Sequence, residues 1–359
     1  MSRSVEITYY DFSDLNFSSF FLAGFHQCAD EKKCVFSISK QVPPILNELL
    51  ESEKWKDILF AIPIFRVRDS RQEYYFCIDT RDSNGNLESG KGYHLPLLQR
   101  VKFYFKVNYN AEVVNREPAL KAYADRIIPA PPFFPIQVPM LWAHLPRFMP
   151  SDLMSWTFVN VISRMQHLTA FPSLLELKSL RNQRKTRDVF LMLGYYKNHP
   201  THNEFRLELM KRIREHKHIN AYMGFADKYL PNEYKEFQIV HKISLRKYLH
   251  EMAKSRVALY VRGMHDCISF KFGQVLAMGM PIVGQPLRNN SSALMDNAHF
   301  DRQFIFEEPR DIVERLAGLL DNPDEMAMLG SANAVTFDSN YMPEKVASTL
   351  LHSMTTLRV

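Results

Sequence analysis

Apolar and polar positions alternate at the start of the chain: Val5-Glu6-Ile7-Thr8-Tyr9-Tyr10 has a period of two, which predicts a strand. A loop carrying Gly24 should follow, then a second strand over Lys33–Ile38 and a helix over 45–50. Asp57-Ile58-Leu59-Phe60-Ala61-Ile62 is an apolar run of buried-strand length. Glu73–Asp79 and Val101–Val107 add further strands. Residues 129–150 are dense in proline, so they predict an extended segment rather than a long helix or a central strand. Asp152–Leu168 reads as a helix with Ser151 as its N-cap.

The second half is patterned more cleanly. Val189–Gly194 is a buried strand ending in glycine, and Phe205, Leu209 and Ile213 then fall on one helical face. A strand at Ile219–Met223, a helix at Leu245–Ala253 and a strand at Val257–Val261 follow. Beyond them come a strand at Pro281–Gly284, a short one near Phe304–Phe306, and helices at Arg310–Leu320 and Pro343–Met354. Strands alternating with helices at this spacing predict an α/β fold with two doubly wound, Rossmann-like domains facing a cleft. The expected division is 1–175, 185–340, and a terminal helix within 341–359 that returns to the first domain.

With 359 residues the chain has room for two cores. Its composition, 46% hydrophobic and 23% charged, is that of a soluble globular protein, and no apolar run reaches membrane-spanning length. Together with the lack of a signal-peptide core this predicts a cytoplasmic location. Cys28, Cys34, Cys77 and Cys267 stand singly, which argues for free thiols over zinc or redox pairs. The net charge of +6 suits a small polyanion as well as nucleic acid. The basic run Arg181–Arg187 reads as a solvated linker, so no nucleic-acid partner is expected.

One stretch departs from what a core needs. Val257–Val261 ends at Arg262-Gly263, and His265-Asp266-Cys267-Ile268-Ser269-Phe270-Lys271 opens a helix that stops at Gly279 before an apolar strand. Such a helix start, at the carboxyl end of a strand, leaves amides for an anion. A phosphate against the amides of Phe270 and Lys271 would be joined by the charges of Lys271 and Arg262. The plainer reading is that Ser269 caps a structural helix; the residues alone leave both open.

This segment resembles the donor-site motif of GT-B glycosyltransferases, in which a Glu-x7-Glu pair spans the turn and helix; Asp266 and Gln274 take the two acidic positions. Arg262-Gly263 and Ser269-x-Lys271 bring it closer to the exostosin-type branch. The likeness covers about residues 245–285 and implies a UDP- or GDP-linked sugar donor and a glycan acceptor, with no further cofactor. Gln274 departs from the acid that usually meets the ribose, and Asp266 is shorter than the usual Glu, which favours an inverting reaction. The loop Gly194-Tyr195-Tyr196-Lys197-Asn198 follows a strand and should face the donor, where Lys197 or Arg206 either reaches the pyrophosphate or is a solvated surface residue; His241 lies where the resemblance implies that backbone groups hold the nucleobase. No Asp-x-Asp motif is present, so no metal is expected; P-loop, zincin and Gly-x-Gly-x-x-Gly signatures are missing too.

Inversion requires a base for the acceptor hydroxyl. Asp79, at the end of a buried strand, is the first candidate, with burial expected to raise its pKa; Asp82, His94 and His26 follow. Arg81 either pairs with one of the two aspartates or meets an acceptor hydroxyl. Tyr93-His94, beside Gly90-Lys91-Gly92, suggests an acceptor lip, and Tyr74, Tyr75, Phe133, Phe134 and Trp142 offer sugar-stacking faces. Two other functions fit the same residues: a nucleotide-sugar epimerase, and a non-catalytic protein that binds a nucleotide sugar or glycan.

Overall fold

The computed structural model describes residues 5–11, 13–39, 41, 43–46, 61–82, 92–138, 165, 169–239, 243–289 and 300–356. The chain divides into two compact units: Met1–Ser173 with Arg288–Leu294 and Asn340–Val359, and Leu174–Leu287 with Met295–Ser339.

The first unit contains β1 (Val5–Tyr10), α1 (Leu15–Asp30), β2 (Cys34–Ser39), β3 (Ile64–Arg68), β4 (Glu73–Asp79), α2 (Leu95–Leu98), β5 (Phe103–Lys106), α3 (Ala111–Arg116), α4 (Pro118–Lys121) and β6 (Ile127–Pro129). Its sheet has the order β2-β1-β3-β4-β5-β6. Because β3 runs antiparallel to both neighbours, the other strands all point one way. The carboxyl ends of β1, β4 and β5 therefore share one edge.

Two expectations fail here for identifiable reasons. The region around Gly24 is the middle of α1, not a loop; its Phe residues pack at helical spacing, with Phe20 on Phe134 and Phe21 on Phe133 (ring centroids 5.1 and 5.4 Å). Phe133 and Phe134 are thus core side chains and present no sugar-stacking face. Strand β3 escaped notice because Arg66 and Arg68 interrupt its apolar positions, although Ile64, Phe65 and Val67 are buried. The apolar run expected as a strand lies largely outside the described residues, and Ala61 and Ile62 precede β3 without joining it. The helix over Asp152–Leu168, Trp142 and the glycine loop up to Lys91 also fall outside, apart from Met165.

The second unit contains α5 (Leu174–Ser179), β7 (Arg187–Leu193), α6 (Pro200–Glu215), β8 (Ala221–Phe225), α7 (Leu245–Ala253), β9 (Ser255–Tyr260), α8 (Phe270–Ala277), β10 (Ile282–Gly284), α9 (Pro309–Leu320) and α10 (Pro323–Thr336). Its sheet is wholly parallel in the order β10-β9-β7-β8. Val189, Leu191, Val257, Leu259 and Val283 from the strands bury against Leu209, Ile213, Ile312 and Leu316 from α6 and α9. Each such side chain removed from water contributes about 1.5–3 kcal/mol. No strand forms at Phe304–Phe306, where only single backbone bonds reach Gly284. Helix α10 was invisible because its apolar residues are spread around the axis rather than striped.

The basic run before β7 is not a solvated linker. Arg181 donates to Asp338 (2.7 and 2.9 Å) and to the carbonyl of Ala277 at the end of α8. Lys185 reaches the carbonyl of Ala253 at the end of α7, and Arg187 pairs with Glu251 at 2.6 Å. These cations answer the unpaired carbonyls and negative dipole ends of two helices. The last helix, α11 (Pro343–Thr356), belongs to the first unit and packs against α1.

Candidate functional site

In the second unit β8 follows β7 on one side and β9 lies on the other, so the strand order reverses between β7 and β9. Open parallel sheets take ligands at the carboxyl ends flanking such a reversal. Gly194–Asn198 follows β7 there, and Arg262–Ser269 follows β9.

Arg206 of α6 joins these two ends. Its Nη1 donates to the Gly194 carbonyl (2.7 Å), its Nη2 to the Arg262 carbonyl (3.3 Å), and its guanidinium stacks on Tyr196 at 4.2 Å. At 2% exposure Arg206 braces the two strand ends from beneath the surface. Its Nε is buried without a partner, and so is Nη1 of Arg262. A buried donor left unpaired costs about 1–3 kcal/mol, and an acceptor arriving there recovers it.

Arg262 is pinned at its backbone by the Gln285 side chain (3.0 Å), and its guanidinium meets Asp266 (3.3 Å) and Glu307 (2.8 Å). His265 and Asp266 both adopt a φ of 58°. Left-handed backbone costs a non-glycine residue about 1–2 kcal/mol, and here it turns the Asp266 carboxylate back towards Arg262. Lys271, in the first turn of α8, donates to the Met192 carbonyl and lies 5.9 Å from the Tyr248 ring centre. Burial, reinforced by Arg206, pushes its ammonium down to about 7. His202 is lowered as well, by burial first and then by Arg206. Burial is thus the first reason that these two groups near Arg206 resist carrying charge, and the guanidinium adds to it.

Ser269 stands at the N-cap of α8, but its hydroxyl makes no capping bond. Capping is therefore not what the side chain does. At the other end, Gly279 (φ 59°) closes α8 as expected, donating to Leu276, while Met280 donates to Val275. The amide of Tyr195 is taken by Asp227 at 2.5 Å, which withdraws it from a ligand. Lys197 is exposed, Phe270 half-buried, and Gln274 sits inside the unit at 2% exposure. His241 lies outside the described residues. Among the described residues no three His, Cys, Asp or Glu side chains form a metal-holding group, and no helix is long and apolar enough to cross a membrane.

The first unit carries a second buried charge cluster. Asp79 is fully enclosed and receives Arg81 through Nε and Nη2 (3.0 and 2.8 Å), Lys106 at 3.2 Å and the Tyr104 hydroxyl at 2.5 Å. Burial alone would raise its pKa, but Arg81 and Lys106 outweigh it and hold the carboxyl well below the usual range. This reverses the expected rise. A carboxylate with no open face and several donors has no lone pair left for an acceptor hydroxyl, so the geometry tells against Asp79 as the base. Lys106, pushed down to about 8 by burial despite Asp79, was missed, as was Tyr104; both lie on β5 and meet Asp79 only through the sheet. His94 caps α2 by accepting from Leu97, and His26 pairs with Asp30 on the surface of α1. Tyr74 is buried and Tyr75 packs beside Tyr10 at 6.1 Å. Asp82 is exposed just beyond β4. Glu307 and Asp227 also went unnoticed, since nothing in their neighbouring residues marks them.

No protein-family model matches the sequence, and no curated protein is similar to it at a significant level. Among solved structures, the N-terminal domain of trehalose-6-phosphate phosphatase from Candida albicans is 9% identical, with a TM-score of 0.41; the match covers 74% of this chain and 60% of that one. An alpha,alpha-trehalose-phosphate synthase (UDP-forming) from Burkholderia vietnamiensis is 10% identical over 74% of this chain and 73% of that one, at 0.39. A Listeria monocytogenes protein assigned as a UDP-N-acetylglucosamine 2-epimerase is 10% identical over 96% and 94%, also at 0.39. Scores below 0.5 leave these as distant likenesses.

Proposed function

We propose that the protein is a nucleotide-sugar-dependent glycosyltransferase of GT-B type, with the donor diphosphate bound at the carboxyl ends of β7 and β9. The observation that carries this reading is the set of unpartnered donors there. Buried Arg206 and part-buried Arg262 each have a guanidinium nitrogen without an acceptor, and Lys271 lies in the first turn of α8. The motif likeness around Arg262-Gly263 and Ser269-x-Lys271 supports the same assignment. Charge building on the leaving diphosphate would be stabilised by donors already in place.

The donor is a UDP- or GDP-linked sugar, the acceptor a glycan hydroxyl, and the transfer inverting and independent of metal. Asp82, exposed beyond β4, replaces Asp79 as the candidate base. A thermal-shift screen against UDP-, GDP-, CMP- and ADP-sugars tests the donor site: at 100 times Kd a ligand adds about 2.7 kcal/mol to stability, a shift of several degrees. No shift with any of them would sink the reading. Asp82→Asn should then abolish transfer while leaving the shift intact; unchanged turnover would remove Asp82 from the mechanism. The enclosure of Asp79 favours one second reading, a non-catalytic nucleotide-sugar-binding protein, which predicts the shift without sugar transfer to any acceptor.

A further inference from the structure

The Arg262 guanidinium that should meet an anion already holds one. Glu307 Oε2 lies 2.8 Å from its Nη2, while Nη1 is buried without an acceptor. The Glu307 side chain is 45% exposed and the Arg262 side chain 11%, so the pair joins a fixed, enclosed cation to a carboxylate that faces water. The two ends differ in backbone setting too. Arg262 has its backbone held by Gln285 and Arg206. Glu307 rides on the stretch between Phe304 and α9, which forms neither helix nor strand and exposes Ile305 beside it. Asp266, paired with Nε of the same guanidinium, follows the left-handed turn.

The local charge then limits how tightly an anion can be held. Arg206 and Arg262 are positive, Lys271 is held towards its neutral form by burial, and Asp266 and Glu307 are negative. With Glu307 in place the group is close to neutral; with it swung outward the group is clearly cationic. We infer that Glu307 is a displaceable internal competitor for the anion at Arg262: it leaves Nη2 when a diphosphate arrives and returns as the diphosphate departs. This inference rests on the donor-site reading above. It assigns Glu307 a role in product release, because the group that weakens binding most is the one that hastens dissociation of the most highly charged ligand.

The test compares wild type with Glu307→Gln, which keeps a hydrogen-bonding oxygen and removes the charge. Calorimetric titrations use inorganic pyrophosphate, UDP, GDP and inorganic phosphate, and the melting temperatures of the free proteins check the fold. The expected result is tighter binding in E307Q, by about two- to fivefold for pyrophosphate and the nucleoside diphosphates, with a smaller gain for phosphate. Equal or weaker binding in E307Q, with wild type binding measurably, overturns this inference and leaves the donor site standing. Failure of both proteins to bind pyrophosphate, UDP or GDP overturns the donor site and this inference together.

Discussion

Two groups of buried charge sit at the carboxyl ends of the two sheets, and they are finished differently. Around Asp79 the donors all find acceptors: a bidentate Arg81, Lys106 and the Tyr104 hydroxyl close on one carboxylate. Around Arg206 and Arg262 the cations outnumber their buried acceptors, and two guanidinium nitrogens are left over. A closed network fixes the fold, whereas one with surplus donors is ready for something from outside. Strong pKa perturbation marks both places, so it cannot by itself tell a catalytic group from a structural one.

The largest contrast should appear on removing Asp79. Asp79→Ala leaves Arg81 and Lys106 enclosed without their anion, and a loss of about 3–5 kcal/mol is expected, read from the urea midpoint. A midpoint unchanged within error would show that the first network is not structural.

Lys271 sharpens the comparison through pH. Its ammonium falls from an ordinary 10.5 to about 7 in the free protein. The unfolded chain therefore binds the proton more readily, and this residue's contribution to stability rises as pH climbs from about 7 towards 10.5. A bound diphosphate favours the charged form, so affinity runs the other way, full below about 7 and falling as pH rises through that value. Lys271→Met should remove this pH dependence and weaken binding by about tenfold or more. Titrations of pyrophosphate from pH 6 to 9 decide it, and a flat wild-type profile would refute the role.

The smallest effect separates capping from site residues. Ser244 caps α7 by accepting from Lys247, so Ser244→Ala should cost about 1 kcal/mol. Ser269 makes no such bond, and Ser269→Ala should stay within about 0.5 kcal/mol of wild type. Equal losses in chemical denaturation would return Ser269 to a capping role.

Much of the second unit was legible because its parallel strands are continuous apolar runs and its helices are striped; α7 runs Leu245–Ala253 as the sequence suggested. In the first unit the same reading stumbled at α1, where β-prone Phe and a glycine hide a helix, and at β3, where arginines break an apolar face. The site was half visible. The turn at Arg262 and the helix start at Lys271 are local in sequence, so their pattern could be recognised. The fate of Asp79 was not local, since Lys106 and Tyr104 reach it only after β5 has paired with β4. Arg206 likewise shows its bracing role only when β7 and β9 lie side by side.

The close seating of α11 on α1 bears on the order in which the chain can be completed. A methyl group placed on Gly24 would lie 2.2 Å from the Pro343 carbonyl oxygen, so the two backbones touch with nothing between them. During synthesis the face of α1 around Gly24 and Cys28 must wait for a helix encoded more than three hundred positions later, while the whole of the second unit is made in between. A released chain ending before Pro343 would therefore hold the residues of the whole second unit but leave the first one unsealed, with surface open to a chaperone.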